Sequence, residues 1–144
     1  MEKIKAYGIC LYKCQKNSIK ILLCKSVQSK NRWGFLKGVS KENEEVKDTA
    51  IREFREESSI KVDKEDLESF YIQKNELKNI GIYLVNYNNI KDVDKYFKDN
   101  VLFKEYLSSE NSDVRFFDIN SLPLIKKKQK YLIKEVTEHL LSLK

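Results

Sequence analysis

Arg52, Glu53, Glu56 and Glu57 lie close together near the middle of the chain, at spacings that gather charge on one helix flank. A helix turns by about 100° per residue, so positions three and four apart share a face. Glu53 and Glu57 are then one turn apart with Glu56 alongside, giving three carboxylates on one side of residues 38–60, GVSKENEEVKDTAIREFREESSI. Val46, Ala50, Ile51 and Phe54 occupy the neighbouring stripe, which suits docking on a core. Like charges at these intervals repel and weaken the helix that bears them. A hard divalent cation removes that conflict, because Mg²⁺ takes oxygen ligands, commonly carboxylates together with substrate phosphates. Ion pairing with Lys47, Arg52 and Arg55 on a solvated face is the plainer alternative. It leaves the wider spacing of Gly38 and Glu44 without a reason.

That wider spacing resembles the Nudix box. Gly38 is followed after five residues by Glu44, and seven more lead to Arg52-Glu53, Phe54, Arg55, Glu56-Glu57, Ser58, Ser59 and Ile60. Every defining position matches except the last glycine, which is Ser59 here. The resemblance implies an α+β fold, a Nudix-like α/β/α sandwich with a mixed β-sheet and a C-terminal helix. It also implies a divalent-metal-dependent hydrolase that cleaves a pyrophosphate bond in a nucleoside diphosphate linked to another moiety. Mg²⁺ or Mn²⁺ would be held by Glu53, Glu56, Glu57 and the backbone carbonyl of Gly38, with Arg52 orienting the carboxylates. Such an ion neutralises phosphate oxygens and lowers the pKa of bound water, and positioning with charge stabilisation carries most of a phosphoryl transfer.

Two assignments stay open at this level. Glu44 suits either the positive end of the helix macrodipole or an outer position around the metal. The general base is either Glu57 or a carboxylate outside the box, for which Glu110, just before the last strand, is preferred to Asp113. Lys37, beside Gly38, is placed to meet phosphate. Tyr83 is a candidate to stack a nucleobase, as are Tyr87 and Tyr106, while Phe103 reads as core. His139, the only histidine, reads as a surface or core-edge residue.

The elements that must position these groups follow from pattern. Residues 3–13 alternate with apolar side chains on both parities, as in a strand buried on two faces, and residues 19–25 make its partner. Residues 33–38, Trp-Gly-Phe-Leu-Lys-Gly, lead into the box; the Nudix resemblance implies a short strand here, with Gly38 at a turn that profits from positive φ and close approach. Residues 67–77 and 80–87 read as strands joined by a tight Lys78-Asn79 turn, residues 90–107 as one or two short helices, and 114–119 as a last strand. An amphipathic helix closes the chain over residues 124–144, with Ile125, Leu132, Ile133, Val136, Leu140 and Leu143 as its apolar face.

With 144 residues, 41% hydrophobic and 35% charged, a single globular domain over 1–144 is expected rather than a disordered chain. No apolar run reaches the ~18 residues of a membrane span, and the alternating N-terminus is not a signal peptide. A cytoplasmic protein without membrane partners is therefore expected, with Cys10, Cys14 and Cys24 as buried reduced thiols. Lys and Arg exceed Asp and Glu by six, which favours polyanionic ligands. The preferred substrates are dinucleoside polyphosphates or an RNA 5′ end, since the lead-in at 33–38 is similar to those of both groups. A non-catalytic module that senses nucleotides or binds RNA is the alternative.

Overall fold

The computed structural model describes residues 2–143. Its centre is β1 (Ile4–Gln15), whose two parities send side chains to opposite sides of the sheet. Tyr7, Ile9 and Leu11 enter one core cluster, while Cys10 and Tyr12 enter the other. The two-sided apolar pattern read from sequence thus marks the middle of a covered sheet.

β1 pairs antiparallel with β2 (Ser18–Ser26) through its last residues and with β3 (Leu36–Val39) through its first, Ala6 to Ile9. Along its other edge it runs parallel to β5 (Lys78–Asn86), from Ile4 opposite Lys78 to Tyr12 opposite Asn86. The outer strand β4 (Phe70–Lys74) is antiparallel to β5. On the far side, β8 (Asn111–Asp118) pairs antiparallel with β2 and carries a short hairpin, β6 (Phe97–Lys98) and β7 (Val101–Leu102). The sheet is mixed, with order β4-β5-β1-β2-β8-β7-β6 and β3 beside β1.

One helix covers each face. α1 (Val46–Ser58) packs Ala50 and Phe54 on Tyr7, Ile9, Leu11 and Leu36. α2 (Lys130–Ser142) packs Leu132, Ile133, Val136 and Leu140 on Ile80, Ile82, Leu84 and Ile21. This is the α/β/α sandwich that the resemblance implies.

Four local expectations are corrected. Residues 90–107 hold two short helices, both 3-10, at Val93–Tyr96 and Lys104–Tyr106, but the sequence pattern does not show the β6–β7 hairpin between them. Asp99 and Asn100 turn that hairpin at φ 51° and 71°, values that short polar side chains tolerate best and that two-residue hairpin loops require. The β4–β5 turn falls at residues 75–77, closed by the Asn75 N–H donating to the Lys78 carbonyl at 3.0 Å. Lys78 and Asn79 are drawn into β5 because β1 pairs with them. The terminal helix begins only at Lys130, leaving Ile125 buried ahead of it and Leu143 exposed past its end. Among the thiols, Cys10 and Cys24 are buried and free, whereas Cys14 is free but exposed. No helix among the described residues is long and apolar enough to cross a membrane.

Candidate active site

Helical spacing places the key acid. Ala50, Phe54 and Glu57 follow one another by four and three residues, so Glu57 continues the stripe that α1 buries. It is 7% exposed. Its Oε1 accepts from Asn111 Nδ2 at 3.0 Å and lies 4.0 Å from Cys24 Sγ. Its Oε2 is buried with no hydrogen-bond partner among the described residues. Burial raises the Glu57 carboxyl to about 7, and the charges of Glu53 and Glu110 add to that, against Asn111 and Lys37. Burial likewise pushes the Cys24 thiol up to about 12, so it stays protonated.

Arg52 organises the rest. Its Nε and Nη2 donate to the two oxygens of Glu44, each at 2.8 Å. Nη1 donates to Glu53 Oε2 at 2.8 Å and to Glu56 Oε2 at 2.7 Å. Nη2 also reaches the Val39 carbonyl at 3.2 Å, which ties the helix to β3. Glu44 in turn accepts from Thr49 Oγ1 at 2.8 Å and from the Lys41 N–H at 3.0 Å. The Arg52 guanidinium lowers the Glu44 carboxyl to about 2. Glu44 is thus not the helix cap, a place taken by Glu45; it anchors the entering loop to Arg52.

Gly38 earns its place by contact rather than by turn geometry. It lies inside β3, and no glycine has positive φ. A Cβ on Gly38 would overlap the Glu53 carboxylate, so glycine lets that carboxylate close on the strand. Burial raises the Glu53 carboxyl, opposed by Arg52. At the far end of α1, Ser59 takes the left-handed conformation, φ 68°, and its N–H caps the Arg55 carbonyl at 2.8 Å. The family's glycine suits that geometry; here the serine hydroxyl also donates to the Tyr106 carbonyl at 3.2 Å.

Glu53, Glu56, Glu57 and Glu110 line one cavity of about 240 Å³ with Ser108 and Ser109. A second cleft, of about 420 Å³, brings Glu57, Glu110, Lys37, Asn111 and Lys126 together at the end of β2. Glu110 is exposed on its loop, which its own carbonyl fastens to the Val27 N–H at 2.9 Å. Lys37 is pulled down to about 8, first by burial and then by the neighbouring positive charges of Lys78 and Lys126. Tyr83 lines neither space; it packs on Phe70, ring centroids 4.6 Å apart, at the β4–β5 edge. His139 lies in the last turn of α2 beside Tyr71. Asn111, the hydrogen-bond donor to Glu57, has no sign in the sequence beyond its adjacency to Glu110.

The donor set suits a hard cation. Arg52 already answers Glu53 and Glu56, but Glu57 keeps a buried oxygen without a partner at this cavity, where a hard cation would compensate the carboxylate. No three His, Cys, Asp or Glu side chains among the described residues close into a metal-ligand cluster, and Glu53 and Glu56 each give an oxygen to Arg52.

The sequence pattern described as the NUDIX domain matches residues 2–139. The chain belongs to that family. Solved Nudix structures share the fold at low identity. The C. elegans Ap4A hydrolase in a binary complex is 18% identical, over 96% of this chain and 98% of that one, with a TM-score of 0.66. The NUDIX domain of Shewanella oneidensis NrtR, complexed with ADP ribose, is 15% identical over 97% and 90%, with a TM-score of 0.66. The NUDIX hydrolase from Nitrosomonas europaea is 19% identical over 94% and 72%, with a TM-score of 0.64. No curated protein matches the chain's sequence significantly. Within this Nudix chain the box runs from β3 through α1, and the cleft opens beside it where β2 and β3 part.

Proposed function

We propose that this Nudix chain is a divalent-metal-dependent pyrophosphohydrolase. Its substrate is a nucleoside diphosphate linked to another moiety, with dinucleoside polyphosphates or RNA 5′ ends preferred. One observation carries the reading: Glu53, Glu56, Glu57 and Glu110 face a single cavity, and Glu57 Oε2 is buried there without a partner. Gly38, through its carbonyl, and Glu53, Glu56 and Glu57 would hold Mg²⁺ or Mn²⁺. When bound, the ion supplies charge for the phosphate oxygens and acidity for water.

The chain's own groups do the rest. Arg52 fixes Glu44, Glu53 and Glu56 in one array, so their oxygens need little reorganisation when substrate arrives. Lys37 neutralises a phosphate at the cleft wall. A water attacks one phosphorus, the bridging P–O bond breaks, and the bridging oxygen leaves with the second phosphate. The proton lost by that water goes to Glu110 or to Glu57. Glu57 is suited by a carboxyl near pH 7 in the metal-free chain; Glu110 is suited by lying free on the rim, outside the Arg52 array. All the box carboxylates are present, which a module that only sensed nucleotides would not need.

The test is to incubate the chain with Mg²⁺ or Mn²⁺ and Ap4A, ADP ribose or 5′-triphosphorylated RNA, reading products by mass. Metal-dependent cleavage within a phosphate chain is expected for at least one of them. A chain that cleaves none, and binds nucleotide without turnover, would be a sensing module instead.

A further inference from the structure

A second groove, of about 370 Å³, begins where the active-site cleft ends. Lys37 and Lys126 line both spaces, and Arg32, Lys78, Lys127 and Lys128 continue the wall. The remaining lining residues are Ile80 and Gln129, so no carboxylate faces the groove. None of these cations forms an ion pair among the described residues. Unpaired like charges lining one groove repel one another, and the fold tolerates this only by solvating them or by offering them to an anion.

The backbone beneath them is fastened at several points. The Trp33 N–H donates to the Leu124 carbonyl at 2.9 Å and the Lys126 N–H to the Trp33 carbonyl at 3.0 Å. Gln129 is buried and accepts from the Phe35 N–H at 2.8 Å. A Cβ on Gly34 would strike that Gln129 side chain, so the glycine is what lets the lysine segment seat this closely. Arg32 Nη1 donates to the Ile125 carbonyl at 2.9 Å, and Asn75 Nδ2 donates to the Lys128 carbonyl at 3.1 Å. The cations are therefore displayed from a fixed frame, not from a trailing loop.

We propose that this groove binds a run of phosphates, the part of an oligophosphate substrate that lies beyond the carboxylate cavity. The inference rests on the hydrolase reading above for the word substrate, and on the groove alone for the binding. Single-stranded nucleic acid is held by positive grooves that also stack bases on aromatic side chains. Here no aromatic side chain lines the wall. A compact chain of phosphates needs only the charge, which lysine supplies as a mobile point donor. The geometry thus favours a long phosphate chain over the body of an RNA strand.

Calorimetric titration of the full chain with inorganic tripolyphosphate, in chelator-treated buffer, tests this without any turnover. Orthophosphate and a single-stranded oligoribonucleotide ending in a 5′-hydroxyl are the comparison ligands. Lys127 and Lys128 are exposed, so the double variant Lys127→Gln, Lys128→Gln should keep its fold, which circular dichroism checks. Tripolyphosphate should bind most tightly of the three, and the double variant should lose about tenfold in affinity, or ~1.4 kcal/mol. Unchanged affinity in the folded variant would overturn the proposal, as would tighter binding of the oligoribonucleotide. A chain that fails every hydrolysis assay yet binds tripolyphosphate through Lys127 and Lys128 would refute the hydrolase reading and leave the groove intact.

Discussion

Glu57 stands where α1 would ordinarily place an apolar residue, in line with Ala50 and Phe54. Its carboxyl, raised by burial from 4.5 to about 7, makes a pH signature. Between these values the folded chain holds a proton that the unfolded chain has released, so metal-free stability falls as pH rises through that window. Above it the ionised, uncompensated carboxylate costs on the order of 3 kcal/mol. Thermal melts in chelator should show this loss between pH 4.5 and 7 in the wild type and much less of it in Glu57→Gln. At pH 7.5, Mg²⁺ should raise the wild-type melting temperature and leave Glu57→Gln nearly unmoved. Glu44 acts in the opposite direction: lowered to about 2 by Arg52, it stabilises above pH 4.5, and that contribution is lost as pH falls towards 2. The two candidate bases separate by kinetics. If Glu110 takes the proton, Glu110→Gln should slow single turnover strongly with metal and nucleotide affinity kept, and higher pH should restore part of the rate. An unimpaired Glu110→Gln chain would leave Glu57 in that role.

At the scale of elements, the end of α1 shows how a departure from the family pattern is accommodated. Ser59 pays for its φ of 68° because a β-carbon disfavours the left-handed region by about 1 kcal/mol. Its hydroxyl recovers part of that through an exposed hydrogen bond to the Tyr106 carbonyl. Ser59→Gly should therefore melt at the same temperature as the wild type or a few degrees higher, with hydrolysis preserved. A variant that folds and has lost hydrolysis would mean the serine does chemistry. The same helix was legible in the sequence, since spacing alone set Ala50 and Phe54 inward and grouped Glu53, Glu56 and Glu57. β1 was legible for a similar reason, both of its parities being apolar. The β6–β7 hairpin was not, because two-residue strands leave no periodicity; the one available sign was Asp99-Asn100 between Phe97-Lys98 and Val101-Leu102. The β4–β5 turn falls earlier than the sequence pattern suggests because pairing with β1, remote in sequence, draws Lys78 and Asn79 into a strand.

On the scale of the whole molecule, function follows from where the sheet parts. β1 gives its first half to β3 and its last residues to β2, and the candidate active-site cleft opens between those partners, lined by Glu57, Lys37 and Lys126. Acid is concentrated on one side of this opening and base on the other, which a net charge of +6 conceals. Lys126, Lys127 and Lys128 are remote in sequence from Lys37, and only the fold sets them beside it. An anhydride substrate laid across the opening would meet the carboxylates at its reacting bond and the lysines along its phosphates. The most direct measurement is steady-state turnover of Ap4A by the wild type and by folded Glu56→Gln and Glu57→Gln, each with Mg²⁺ and with chelator. We expect cleavage by the wild type with Mg²⁺ only, and a loss of at least about a hundredfold in kcat in each variant. Turnover that persists in chelator, or that either folded variant retains at the wild-type rate, would contradict metal-dependent hydrolysis by the α1 carboxylates.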